Sequence, residues 1–111
     1  MLMYRYRAEV IDVYDGDTVT VDVDLGLCIW VRRQKIRLYG IDAPELRGED
    51  RGIGIKVRDW LRNRIANKRI VLETIKDEKG KFGRWLGKIW IDGVCVNDEM
   101  LELGLVKEYG D

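Results

Sequence analysis

Val19, Val21 and Val23 alternate without a break with Thr18, Thr20, Asp22 and Asp24. A period of two over that length predicts a strand with one buried face, because helix faces repeat every 3.6 residues instead. Residues Arg7 to Tyr14 read as a preceding strand that ends at an Asp15-Gly16 turn. Leu25-Gly26-Leu27 breaks the alternation, and a further strand follows from about Ile29 to Tyr39, rich in β-branched and aromatic residues. Gly40 to Gly54 holds the only proline among several glycines and charges, so it reads as a loop.

The period changes after that loop. From Ile55 to about Asn67, Val57, Trp60, Leu61 and Ile65 share one helical stripe, with Arg58, Arg62 and Asn63 outside it. Ile70, Leu72 and Thr74 open another strand, a turn runs through Lys79-Gly80-Lys81, and the next strand carries Trp85, Leu86, Ile89, Trp90 and Ile91. Asp92-Gly93 is a two-residue hairpin signal leading into Val94-Cys95-Val96. Asn97 is a candidate cap for a short helix with Asp98 and Glu99 in its first turn and Gly104 at its end. Short antiparallel strands interrupted by one helix predict a mainly β domain with α, a small closed barrel of the oligonucleotide-binding type spanning residues 1–111 as one domain.

Charge is balanced overall but not locally. The formal net charge is zero, which gives no global pull towards a polyanion. Asp12, Asp15, Asp17, Asp22 and Asp24 make the early part acidic, while the stretch from Arg32 to Arg69 is strongly basic. A basic sector beside an acidic pocket suits a polyanion gripped along its backbone and cut at one point; a solvated helix with ordinary surface arginines accounts for the same run. With no histidine and no Cys-x-x-Cys, the chemistry of a zinc site is missing. Cys28 and Cys95 stand in apolar, strand-like contexts and read as packed thiols or as a bridged pair. No long apolar stretch follows the basic residues at the start, so the expectation is a cytoplasmic protein without signal peptide or membrane association.

The residues that carry chemistry are acids and arginines in a fixed order. Asp15-Gly16-Asp17-Thr18 is followed by Arg37, then Asp42-Ala43-Pro44-Glu45, then Lys81-Phe82-Gly83-Arg84. Each fragment alone has an ordinary explanation. Asp15-Gly16 can be a turn in which Gly16 supplies a positive φ, and Pro44 can simply open a loop. Interleaved, carboxylates that suit a hard cation and guanidinium forks that match phosphate oxygens converge on a single phosphodiester.

This order resembles the staphylococcal-nuclease-like (thermonuclease) family over about Val10 to Val106. Lys81-Phe82-Gly83-Arg84-Trp85-Leu86-Gly87-Lys88-Ile89-Trp90 is similar to that family's second signature, and Asp92-Gly93 and Val96-Asn97 stand where it has its last hairpin and the start of a helix. The resemblance implies a five-stranded oligonucleotide-binding barrel with flanking helices. It implies Asp17 and Asp42 as carboxylate ligands of one Ca²⁺, with the Ala43 carbonyl as a third ligand. It implies Glu45 as the residue that orients or deprotonates water, and Arg37 and Arg84 as the arginines on the phosphate. Asp15 would be an outlying acid. The activity implied is Ca²⁺-dependent endonucleolytic hydrolysis of DNA and RNA by a monomer, single strands preferred, leaving 3′-phosphate ends. The alternative is a barrel of the same fold that binds nucleic acid or protein without catalysis; such a chain is expected to have lost one of Asp17, Arg37, Asp42, Glu45 or Arg84.

Departures from the family pattern are visible. The chain is longer between Thr18 and Arg37, which predicts an extended hairpin around Asp24 to Arg33; a slip of one residue there would turn Arg37 to the wrong face. Gly80 stands where the second signature starts with Asp, with Asp77 and Glu78 as candidates to replace it, and Ala43 replaces a common Thr. Tyr109 lies near, but out of step with, the tyrosines that hold nucleotide in some members.

Overall fold

The computed structural model describes residues 3–79 and 84–109. Three long strands come first: β1 (Met3–Asp15), β2 (Thr18–Gly26) and β3 (Ile29–Leu38). They are followed by a two-residue β4 (Ile41–Asp42), a 3-10 turn (Gly48–Asp50) and helix α1 (Arg51–Ile65). Then come β5 (Arg69–Lys79), β6 (Trp85–Ile91), the short β7 (Val94–Cys95), helix α2 (Val96–Glu102) and β8 (Lys107–Glu108). The hydrogen-bonded order β3-β2-β1-β5-β6 is closed by a parallel pairing of β3 with β6, which makes a five-stranded barrel. Closure removes the exposed sheet edges that an open five-stranded sheet would offer to other chains.

Alternation sets the inside of the barrel. Val19, Val21 and Val23 on β2 are buried together with Val10 and Val13 on β1, Ile36 and Leu38 on β3, Leu72 on β5 and Ile89 on β6. Helix α1 adds Val57, Leu61 and Ile65 to the same core. It starts at Arg51, four residues before the sequence expectation, and Gly54, read as loop, is a buried helical residue. Trp60 is only partly buried.

The extended hairpin is present and the register holds. Leu27 and Cys28, both at positive φ, form the turn between Gly26 and Ile29. Further in, an extra residue on β3 is absorbed as a bulge, with Arg33 at φ 55°. Asp22 clamps it: the Arg33 N–H donates to Oδ1 at 2.8 Å and the Arg32 guanidinium pairs with Oδ2 at 3.0 Å. Those two contacts hold the Asp22 carboxyl below the usual range. Beyond the bulge Thr18 pairs with Arg37, so Arg37 emerges between the buried Ile36 and Leu38 on the outward side of its strand.

Asp92 and Gly93, both at positive φ, make the predicted tight turn. Both cysteines are free; Cys95 is buried, whereas Cys28 is exposed in its turn and is not the packed thiol its apolar neighbours suggested. Asn97 is not a helix cap. It lies inside α2 and is 1% exposed; its Oδ1 accepts from the Ile89 N–H at 3.1 Å, and its Nδ2 donates to the carbonyls of Tyr39 and Gly87. A side-chain amide matches one donor and two acceptors left where β3, β6 and α2 meet. Asn97→Ala is expected to leave the buried Ile89 N–H without an acceptor and to cost about 1–3 kcal/mol in urea unfolding; an unchanged midpoint would show that the staple is dispensable.

Candidate functional site

Asp17 lies in the β1–β2 turn, just before β2, and most of the site is built on that residue. The residue is only 8% exposed. The Thr18 hydroxyl donates to Oδ1 at 3.2 Å, and the Ala43 N–H, from the loop after β4, donates to Oδ2 at 2.9 Å. Asp15 turns back on the same loop and accepts from the Asp17 N–H at 3.0 Å. Burial pushes the Asp17 carboxyl above its ordinary value, the Asp15 carboxylate adds to the rise, and the Ala43 N–H and Arg37 oppose it. Burial is the largest of these effects.

Gly16 allows this packing by its size and not, as a tight turn would require, by a positive φ. A Cβ there would come within 2.7 Å of both Ala43 Cβ and Val57 Cγ1, so the turn can lie flat on α1 and the Ala43 loop only if residue 16 has no side chain.

Arg37 holds the two acids together. Its Nη1 lies 3.4 Å from Asp17 Oδ2 and its Nη2 lies 3.5 Å from Asp42 Oδ1. Nη1 also donates to the carbonyls of Leu38 at 3.1 Å and Ile41 at 2.9 Å, which fixes the side chain along the end of its own strand. The Tyr109 ring stands 5.4 Å from the guanidinium carbon as a cation–π partner. The β4–β8 ladder delivers that ring, since Asp42 pairs with Lys107 and the Tyr109 N–H donates to the Gly40 carbonyl.

Arg84 directly precedes β6, the strand that pairs with β3. The β3–β6 pairing sets Trp85 beside Ile36 and Leu86 beside Arg37, and Arg84 Nη1 donates to the Thr18 hydroxyl oxygen at 3.4 Å. Thr18 therefore links Arg84 to Asp17, a role that its place in the Asp15–Thr18 motif does not announce. Lys81, Phe82 and Gly83, Gly80 before them and the side chains of Asp77 and Glu78 lie outside the described residues.

Glu45 is exposed and makes the shared rim of two openings. One, of about 520 Å³, is lined by Asp42, Ala43 and Glu45 with Asp50, Ile53 and Lys107 among its other walls. The second, of about 350 Å³, is lined by Tyr14, Asp15, Glu45, Leu46 and Arg47. The backbone behind Glu45 is held by α1, because Gly54 packs against the Glu45 and Pro44 carbonyls so closely that a Cβ would collide with them. Gly54→Ala is expected to cost about 1–3 kcal/mol through overpacking, while Gly52→Ala, with open space around it, should stabilise by about 0.4–1 kcal/mol. Equal midpoints for the two variants in denaturant would contradict the close approach.

Asp17, Arg37, Asp42 and Ala43 are thus gathered through direct contacts, Arg84 joins them through the Thr18 hydroxyl, and Glu45 stands on the same opening as Asp42 and Ala43. Among the described residues no three His, Cys, Asp or Glu side chains cluster as a metal-binding group, and no helix is long and apolar enough to cross a membrane. The Asp17 and Asp42 carboxylates, bridged by Arg37, offer hard oxygen donors, the donor type that suits a Ca²⁺-type ion that keeps water in the rest of its shell.

The staphylococcal nuclease homologue family matches residues 35–110. The chain is 30% identical to a thermonuclease of Staphylococcus hyicus over 102 residues, covering 89% of this chain and 57% of that protein. It is 30% identical over 99 residues to a thermonuclease of Staphylococcus intermedius, covering 86% and 52%. A probable staphylococcal-like nuclease of Oryza sativa subsp. japonica is 30% identical over 81 residues, 73% of this chain and 23% of that protein. The chain spans little more than half the length of the two thermonucleases.

Proposed function

Since the chain belongs to the staphylococcal nuclease homologue family, we propose that it is a Ca²⁺-dependent nuclease that hydrolyses phosphodiester bonds in DNA and RNA and leaves 3′-phosphate ends. The observation that carries this reading is the single guanidinium of Arg37 spanning Asp17 and Asp42, with Arg84 one hydroxyl away. Two arginines and two acids meeting at one place have no structural need of each other across so many elements; a phosphate and a cation would use all four.

Asp17, Asp42 and the Ala43 carbonyl are the residues that would hold the ion. When bound, Ca²⁺ supplies Lewis-acid polarisation of a phosphoryl oxygen and a template for water. Arg37, anchored by the Leu38 and Ile41 carbonyls, presents a preorganised donor to a phosphate oxygen. Arg84 approaches from β6 and meets the negative charge that grows on the phosphoryl oxygens as water attacks. Glu45, on the rim beside Asp42 and Ala43, orients that water and takes its proton; the P–O5′ bond breaks, and the departing 5′-oxygen takes a proton from solvent. A carboxylate is a weak base for water, so placement and charge stabilisation are the larger contributions.

Digestion of single- and double-stranded DNA and of RNA tests the reading. Cleavage is expected with Ca²⁺, weaker with Mg²⁺, which sheds its waters reluctantly, and absent with chelator. Full activity in excess chelator would remove the metal from the mechanism. Loss of all cleavage with Ca²⁺, but retained nucleic-acid binding, would leave a binding barrel.

A further inference from the structure

Apart from Glu45 and Asp15, the residues around the second opening, Tyr14, Leu46 and Arg47, are not used by the chemistry above. Tyr14 stands on one wall with 64% of its surface exposed, and Arg47 and Leu46 stand on another. Helix α1 runs alongside, fixed at three points: Gly54 on the Glu45 carbonyl, Val57 against Gly16, and Arg62 donating from Nε and Nη2 to the Val13 carbonyl, next to Tyr14. At about 100° per residue, Arg51, Arg58 and Arg62 fall within about 40° of one another on this helix. Arg64, which pairs with Glu99 of α2 at 2.8 Å, lies on the other flank. The arginine stripe is therefore the flank on the Tyr14 side.

The charge there is a property of this segment and not of the chain. From Arg47 to Arg69, both included, stand eight basic residues against Glu49, Asp50 and Asp59, in a sequence of zero formal net charge. Arg62 is bonded to a neutral carbonyl, which leaves its charge uncompensated by that contact; Arg58 is paired with Asp59 at 3.2 Å. An exposed aromatic ring that shares its opening with Arg47, beside a helix flank that carries further guanidinium groups, fits one occupant best: a flexible polyanion with flat bases, whose base stacks on the ring while its phosphates follow the charges.

We propose that the strand flanking the scissile phosphate leaves the reacting centre over Glu45, stacks a base on Tyr14, and lays its backbone along Arg47 and the Arg51–Arg58–Arg62 flank of α1. This rests on the nuclease reading for the direction of the strand, while the groove itself is testable by binding alone. The occupant is single-stranded, because a paired and stacked base cannot present its face to Tyr14.

Binding of a fluorescein-labelled 12-nucleotide thymidine strand, followed by anisotropy in chelator, tests the groove without cleavage. Tyr14→Ala is expected to weaken binding about tenfold. The Arg51→Ala/Arg58→Ala double variant should lower the slope of log affinity against log salt by about 1.4, at roughly 0.7 for each phosphate that is no longer neutralised. A duplex of the same length should keep the arginine effect and lose the Tyr14 effect. Both variants should cut a dinucleotide in Ca²⁺ as fast as the unaltered chain, since neither touches the reacting centre. Variants that bind the 12-mer like the unaltered chain would overturn the groove, as would a dinucleotide rate that falls in proportion to 12-mer binding. Weakened binding in a chain that cuts nothing would support the groove and reject the nuclease reading instead.

Discussion

Arg84→Ala is expected to lower kcat and kcat/KM together by about 10²–10³, with KM nearly unchanged. The geometry behind this is the contrast between the two arginines. Arg37 is already occupied in the resting protein, bridging Asp17 and Asp42 and bonding two carbonyls. Its removal would disturb the acids as well as the phosphate, so Arg37→Ala would report on several functions at once. Arg84 reaches Asp17 through the Thr18 hydroxyl, at 3.4 Å. Its truncation leaves the Arg37 bridge between the acids in place and would remove the charge that the proposed mechanism brings to the transition state. Arg84→Lys should restore little, because an ammonium cannot offer two parallel donors in a plane. Thr18→Val, which removes the link and keeps the strand shape, should give a smaller loss in kcat. Steady-state kinetics on a labelled oligonucleotide would decide this; a rise in KM with unchanged kcat for Arg84→Ala would make it a binding residue.

The second large effect separates activity from stability. Asp17→Asn should abolish hydrolysis and yet stabilise the metal-free protein near neutral pH, by about 0.5–2 kcal/mol. The sign follows from the raised Asp17 carboxyl. A group whose folded-state value lies above its ordinary 3.8 adds stability below that pH, where it is protonated in both states. It loses that contribution as pH rises through the folded value, because the buried site must then carry a charge. Asparagine never carries it. The gain of Asp17→Asn in chelator should therefore be near zero below pH 3.8 and grow as pH rises past the raised value. Excess Ca²⁺ should reverse the order, since binding stabilises only the chain that keeps the carboxylate. Urea unfolding of both chains across pH, with chelator and with Ca²⁺, measures this directly. Destabilisation by Asp17→Asn at neutral pH in chelator would mean that Arg37 and the Ala43 N–H outweigh burial.

The barrel was legible in the sequence wherever a strand was long enough to show its period. The alternation of Val19, Val21 and Val23 matches the buried face of β2, and Asp92-Gly93 makes the turn its residue types demand. Elements of two residues, β4 and β8, have no period to show, yet their pairing is what brings Tyr109 over Arg37. The start of α1 was hidden by Gly52 and Gly54, which read as loop; Gly54 is in the helix because a carbonyl lies against it, a tertiary reason with no local signature. Asn97 has the residue type and neighbours of a helix cap, but its amide satisfies groups on β3 and β6 that only the closed barrel brings together.

The candidate site was legible as an order of residues and not as a geometry. Nothing near Arg33 announces the bulge that sets Arg37 opposite Thr18, and nothing in Thr18 announces a bond to a residue 66 positions away. Glu45 was legible as a carboxylate in a motif; that it stands between two grooves is a consequence of how α1 packs behind it.

The end chemistry of a 5′-labelled single strand, cut with Ca²⁺ and again with chelator, tests the assigned reaction most directly. The expected products carry 3′-phosphate ends, recognised by their shift in mobility after phosphatase treatment, and they disappear when the metal is chelated or Arg84 is replaced by alanine. Fragments ending in 3′-hydroxyl, or the same ladder from the chelated protein or from Arg84→Ala, would contradict it.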